Sequence, residues 1–207
     1  DVLAGKQVIW LALGVAVFFV MSGIDFRFLR HTWIVVTLYA GVLALLALLF
    51  LFGSVWGGAQ GWFNVGAFAI QPSELAKLAL IIVLAKYFSR RHIEIAHVKH
   101  LLASGFYMSL IFFLLFFQPD FGSAVIIAGV WGGMVLVAGI PFRHLVLLIG
   151  VGVAGVLLLW FFGFDDYQKT RISTFLHPIE DVRGAGYHAF QSTVAVGSGQ
   201  WLGKGVC

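Results

Sequence analysis

Hydrophobic residues in this chain come in unbroken blocks separated by short polar hinges, rather than alternating or recurring every third or fourth place. Apolar blocks stand at 7–24, 33–52, 101–117, 122–140 and 144–163, each near the ~20 residues a helix needs to cross a bilayer. A sixth block, 72–88, is shorter and carries Glu74 and Lys77. Lipid offers no partner to an unpaired backbone group, so such blocks predict helices and one polytopic, all-α membrane domain over 1–163. Residues 53–71, rich in Gly and aromatics, read as a loop, and barrel-type strands are not expected. Residues 164–207 form a polar segment whose Phe175, Leu176, Tyr187 and Phe190 predict a folded loop resting on the membrane.

Composition agrees, with 61% hydrophobic and only 11% charged residues. The net charge of +4 raises nucleic acid as a partner, but the basic residues sit in short hinges and no basic run is interleaved with aromatics. Arg27 and Arg30 follow the first block, Lys86, Arg90, Arg91 and Lys99 lie between the third and fourth, and Arg143 between the fifth and sixth. The positive-inside rule makes those hinges cytoplasmic and puts 53–71 and 118–121, which lack Lys and Arg, outside. Lys169, Arg171, Arg183 and Lys204 in the last segment run against that rule, so orientation rests on the internal hinges. The single cysteine, Cys207, forms no internal disulfide, and the first block lacks the flanks of a cleaved signal peptide. A short polar lead into a span and a stop in mid-loop read as a fragment of a longer protein.

Two echoing motifs end or begin apolar blocks: Gln71-Pro72-Ser73-Glu74 and Gln118-Pro119-Asp120. Counting crossings puts both on one side, together with the Trp62 loop and residues 164–207, opposite the basic hinges. Pro72 suits the first turn of a helix, and Glu74 there suits the helix dipole. Glu74 and Lys77 share a face, as a self-neutralising ion pair or as the lining of a water-filled cavity. Asp120 reads equally as a helix cap or as a member of one charge network with them. Trp56 reads as an interface anchor, whereas Trp62 could bend over the cavity mouth. Gly197, Gly199, Gly203 and Gly205 do not form a nucleotide-binding loop and read as a flexible turn. His177 and His188 lack a zinc-ligand pattern, so no metal is assigned.

The runs GAQGWFNVGAFAIQPSELAKL, QPDFGSA and DYQKTRISTFLHPIEDVRGAGYHAFQSTVAVGSGQWLGKG together resemble the SEDS family of bacterial shape, elongation, division and sporulation proteins. The Gly-Ala-Gly-Tyr-His and Ala-Val-Gly-Ser-Gly pieces are more similar to its elongation branch than to its division branch. The resemblance implies a fold of about ten transmembrane helices, of which this chain would supply the second to seventh and the first part of a large outer loop. It implies a peptidoglycan glycosyltransferase that polymerises lipid II at the outer face of the cytoplasmic membrane beside a class B penicillin-binding protein. The leaving group is undecaprenyl pyrophosphate, no nucleotide sugar is needed, and a divalent cation stays open as the one possible cofactor. Such chemistry wants a base near the attacking hydroxyl and positive charge near the pyrophosphate.

Carried over by position, the resemblance assigns Trp62, Gln71, Ser73, Glu74, Lys77, Asp120, Tyr167, Gln168, Arg171, Gln191 and Lys204 to the cavity or to substrate binding. Glu74, Lys77 and Asp120 would organise the cavity, while Arg171 and Lys204 would help hold the pyrophosphate. The family's candidate base, an aspartate in a His-Thr-Asp-Phe motif, has no counterpart in this sequence, so no catalytic residue is assigned and the chain alone is expected to be inactive. Gly61 stands where relatives carry Arg. The alternatives are a transporter of a lipid-linked precursor, a division or sporulation paralogue, and a scaffold. The missing inverted repeat counts against a transporter, and the buried charges would serve no purpose in a scaffold.

Overall fold

Helices stand over all six apolar blocks in the computed structural model of the chain, which describes residues 2–56, 59–65, 68–89, 98–164, 169–170, 172–174, 184, 186–199 and 203. They are α1 (Val2–Ser22), α2 (Thr32–Phe52), α3 (Pro72–Ser89), α4 (Val98–Phe117), α5 (Phe121–Val137) and α6 (Phe142–Leu158). Four described segments are long and apolar enough to cross a membrane: Gly5–Ser22, Thr32–Phe52, Val98–Phe117 and Phe142–Gly163. The 17-residue α5 is shorter, and α3 carries Glu74, Lys77 and Lys86. The chain is a multi-pass helical membrane protein.

Two units divide the chain, residues 25–148 on one hand and 1–24 with 149–207 on the other. In the first, α2, α3, α4 and α5 share a single core. On α2 the buried positions Val35, Tyr39, Val42, Leu46 and Leu49 recur at alternating steps of four and three, which draws a seam along one face. That seam meets Ala76, Leu80, Val83 and Leu84 of α3, Ile111 and Leu115 of α4, and Ala124 and Ile127 of α5. Tyr39 donates its hydroxyl hydrogen to the Tyr107 carbonyl, and Trp131 Nε1 donates to Ser104 Oγ at 3.1 Å, so these polar groups inside the bundle find partners. Between α5 and α6 the chain reverses at Gly139, whose φ of +89° favours glycine, and Pro141 then precedes the first residue of α6.

No described side chain is buried in α1, which lies in the second unit, or in α6, which begins in the first unit and continues into the second. Helices apolar on every side suit lipid or further helices as neighbours. α6 runs into a wider π turn over Leu159–Gly163, closed by the Phe164 amide donating to the Leu159 carbonyl at 2.7 Å.

The segment expected to be a loop instead holds a small antiparallel sheet of β1 (Ser54–Trp56), β2 (Ala59–Val65) and β3 (Phe68–Ile70) in that order. Ser54 pairs with Trp62, and Phe63 with Ile70. Pairing between the three strands satisfies backbone groups within the segment, which favours a sheet where the chain lies at a membrane boundary. Beyond 164, Tyr187–Gly199 forms α7, so Gly197 and Gly199 end a helix rather than a flexible turn. Gly203 has a φ of +72°, and its amide donates to the Gly199 carbonyl.

Candidate functional site

α2 ends where α3 begins, and the α4–α5 turn returns to the same end of the bundle, because each hairpin reverses the chain. β2 contacts both α2 and α3 there. Alternation along a strand sends Gly61 and Phe63 to one face and Trp62 and Asn64 to the other. Phe63 packs on the helical core, and Gly61 is buried against the two Gln-Pro motifs. A methyl group at Gly61 would lie 3.8 Å from Asp120 Oδ2 and 3.9 Å from Gln71 Nε2. The sheet thus covers both motifs, and Trp62, half-buried, faces the other way.

Each motif is fixed by its backbone. The Glu74 amide donates to the Gln71 carbonyl at 3.1 Å, so Pro72, which lacks an N–H, opens the helix at no cost. The Asp120 amide donates to the Leu115 carbonyl at 3.0 Å, and Asp120 Oδ1 accepts from the Ser123 amide at 3.2 Å, which caps α5. Gln118, 1% exposed, donates from Nε2 to the Leu46 carbonyl of α2. Ser123 Oγ lies 3.5 Å from Ser73 Oγ, joining α5 to α3.

After these bonds are made, two buried acceptors remain without a partner among the described residues: Gln118 Oε1 and Asp120 Oδ2. Leaving such an atom unbonded costs about 1–3 kcal/mol, so a pair in one turn marks a place where an arriving donor is rewarded. Glu74 and Lys77 form an ion pair at 2.7 Å, with Glu74 exposed over more than half its side chain and Lys77 over a fifth. Asp120 is within ion-pairing distance of neither, among the described residues. Of the two roles the sequence left open for Asp120, the described residues show the helix cap, so the site holds two separate features, an exposed pair on α3 and a capped carboxylate on α5.

Of the other expected site residues, Gln191 stands exposed on α7. Tyr167, Gln168, Arg171 and Lys204 lie outside the described residues, as do Asp165, Asp166, Asp181 and His177. The sequence reading missed Ser123 and the second role of Gln118. The repeated order Gln-Pro-Ser and Gln-Pro-Asp-Phe-Gly-Ser was the available signal, since a serine three residues after a capping aspartate is where the capped amide falls.

A family described as cell cycle protein, covering FtsW, RodA and SpoVE, matches residues 1–207. Among curated proteins, the chain is 33% identical over 97% of its length to the probable peptidoglycan glycosyltransferase FtsW of Saccharophagus degradans, covering 52% of that protein. It is 35% identical over 94% of its length to the peptidoglycan glycosyltransferase MrdB of Escherichia coli, covering 52% of it. With the stage V sporulation protein E of Bacillus subtilis it shares 34% identity over 98% of its length, covering 55% of that protein. The chain therefore spans about half the length of the curated relatives it matches. Among solved structures, one described as a peptidoglycan synthase complex that coordinates polymerization and crosslinking superposes with a TM-score of 0.74 at 34% identity, covering 95% of this chain and 57% of that one. The rod shape determining protein RodA of Thermus thermophilus superposes at 0.65 and 34% identity, covering 76% of this chain and 50% of that one. With the family pattern running from the first residue to the last, this chain belongs to the FtsW, RodA and SpoVE family of cell cycle proteins, the SEDS family its motifs resemble.

Proposed function

We propose that this chain is part of a peptidoglycan glycosyltransferase that polymerises lipid II at the extracytoplasmic face of the membrane. The observation that carries the proposal is a pair of buried acceptors unpartnered among the described residues, Gln118 Oε1 and Asp120 Oδ2, the latter beneath Gly61 of the sheet, at the end of the bundle away from the basic hinges. Sugar hydroxyls and amides are donors, and acceptors held rigidly by a helix cap and a bond to α2 would orient them without reorganisation. Curated relatives named as peptidoglycan glycosyltransferases support the same chemistry.

In this reading residues 1–163 form the membrane domain, α3 and α5 crossing with the others, and 164–207 contribute to an outer loop. Trp62 on the outer face of the sheet, Gln71, Ser73, Glu74, Lys77 and Gln191 line the path of the substrate. Tyr167, Gln168, Arg171 and Lys204 supply donors and cations to the pyrophosphate. The partner is a class B penicillin-binding protein that crosslinks the new strand. Elongation is the branch we favour, on the Gly-Ala-Gly-Tyr-His motif; identities of 33–35% to division, elongation and sporulation relatives do not rank the three.

The test uses the native protein containing this chain, purified with its penicillin-binding partner and given labelled lipid II. Asp120→Asn keeps an oxygen to cap α5 but removes the charge, and should cut glycan formation about 10- to 100-fold at unchanged helix content, the equivalent of roughly 1–3 kcal/mol. Lipid II crossing vesicles without polymer would replace the polymerase reading with a transporter. No loss in Asp120→Asn would remove Asp120 from the site.

A further inference from the structure

At the far end of α3 a second feature stands apart from the polymerase reading. An open cavity of about 550 Å³ lies between the 3-10 turn Phe26–Arg30 and the last turns of α3. Its walls combine apolar Phe26, Leu29 and Ile82 with two cations, Arg30 and Lys86, and no carboxylate lines it among the described residues. We propose that this cavity binds an anionic phospholipid, with the phosphate at Arg30 and an acyl chain along α3.

Three observations choose that occupant. Lys86 Nζ donates to the carbonyls of Leu29 and Arg30, which pins the turn to α3 and holds Arg30 at the cavity by its backbone. Arg30 itself has no carboxylate within ion-pairing distance among the described residues, whereas Arg27 in the same turn is paired with Asp25 at 3.5 Å. A guanidinium presented from a fixed backbone suits a phosphate, whose oxygens accept two parallel N–H bonds.

The third observation separates a lipid from free phosphate. Ile82 and Ala85 of the cavity wall continue along α3 into Leu78 and Leu75, at steps of three and four residues that keep one face. Leu75 and Leu78 are 44% and 59% exposed, so this stripe is an uncovered apolar track within the first unit leading away from the cations. A headgroup-sized cationic cavity continuous with an apolar track matches an amphiphile. The basic hinges already mark this end as the one facing the leaflet whose surface potential is negative.

Native mass spectrometry of the purified protein with added phosphatidylglycerol or phosphatidylcholine tests this. Phosphatidylglycerol adducts should exceed phosphatidylcholine adducts by about five-fold, the worth of one engaged basic residue. Arg30→Gln should abolish that preference, while Arg27→Gln, the same charge lost from the same turn, should leave it within about two-fold. Leu78→Gln should lower retention of phosphatidylglycerol and leave binding of glycerol phosphate unchanged, a readout that does not depend on Arg30→Gln folding. Equal retention of the two lipids, equal losses from the two arginine variants, or displacement of the lipid by inorganic phosphate would each overturn the proposal.

Discussion

The two ends of α3 handle buried polar atoms in opposite ways. At its last turn Lys86 spans from α3 to two backbone carbonyls of the turn before α2, Tyr87 shares a hydrogen bond with His100 at 2.9 Å, and Ser89 caps back onto the Lys86 carbonyl. No buried side-chain oxygen or nitrogen at that end is left without a partner, among the described residues. At its first turn the bundle is tied as firmly, by Gln118 to Leu46 and by Asp120 to Ser123, yet each tie uses only half of its side chain. The amide oxygen of Gln118 and the second carboxylate oxygen of Asp120 lie buried and unbonded, among the described residues. A fold tolerates such a cost where something outside the fold repays it, so under the function proposed above saturation marks the structural end and shortage the working end.

The comparison is broken most directly at the saturated end. Lys86→Met leaves the Leu29 and Arg30 carbonyls without their donor, and should lower unfolding stability in detergent by about 2–3 kcal/mol, read as a fall in the thermal midpoint. The working end should respond the other way. Gln118→Leu removes one bond to α2 but also removes an unbonded oxygen, so stability should change by no more than about 1 kcal/mol. Lipid II turnover in the same variant should nevertheless fall about ten-fold, a loss of roughly 1.4 kcal/mol; a parallel loss of stability and turnover would erase the distinction between the ends.

Smaller effects sharpen the picture. Gly61→Ala places its methyl at ordinary contact distance from Asp120 Oδ2 and Gln71 Nε2, and should raise stability by about 0.4–1 kcal/mol through the unfolded chain. If the space above Asp120 receives substrate, turnover should drop in this more stable variant. Glu74→Gln breaks an exposed pair three residues apart on one helix, worth only about 0.2–0.5 kcal/mol. A larger change in its thermal midpoint would show that the pair is buried by something beyond the residues described.

Much of the working end was legible before any coordinates. Six apolar blocks and their hinges place both Gln-Pro motifs on one side by counting reversals, and the structure brings Gln71 and Asp120 to the same glycine. The capping role of Asp120 was legible too, since it precedes a helix. What the sequence hid was the sheet: strands of three, seven and three residues with glycines between them carry too little alternation to stand out against a background this apolar. α7 was hidden because glycine, serine and β-branched residues within it argue for a turn, and local propensity is a weak prior.

The sequence by itself determined where the six long apolar helices form and which of their ends share a side, because both follow from the length of apolar runs and from the need to pair backbone groups within each run. Tertiary structure alone decided which polar atom meets which. Gln118 finds Leu46 across 72 residues, and Lys86 finds Leu29 across 57. Those partners are main-chain carbonyls, which every residue carries alike, so only the packing of one helix against another selects among them and decides which acceptors are left over.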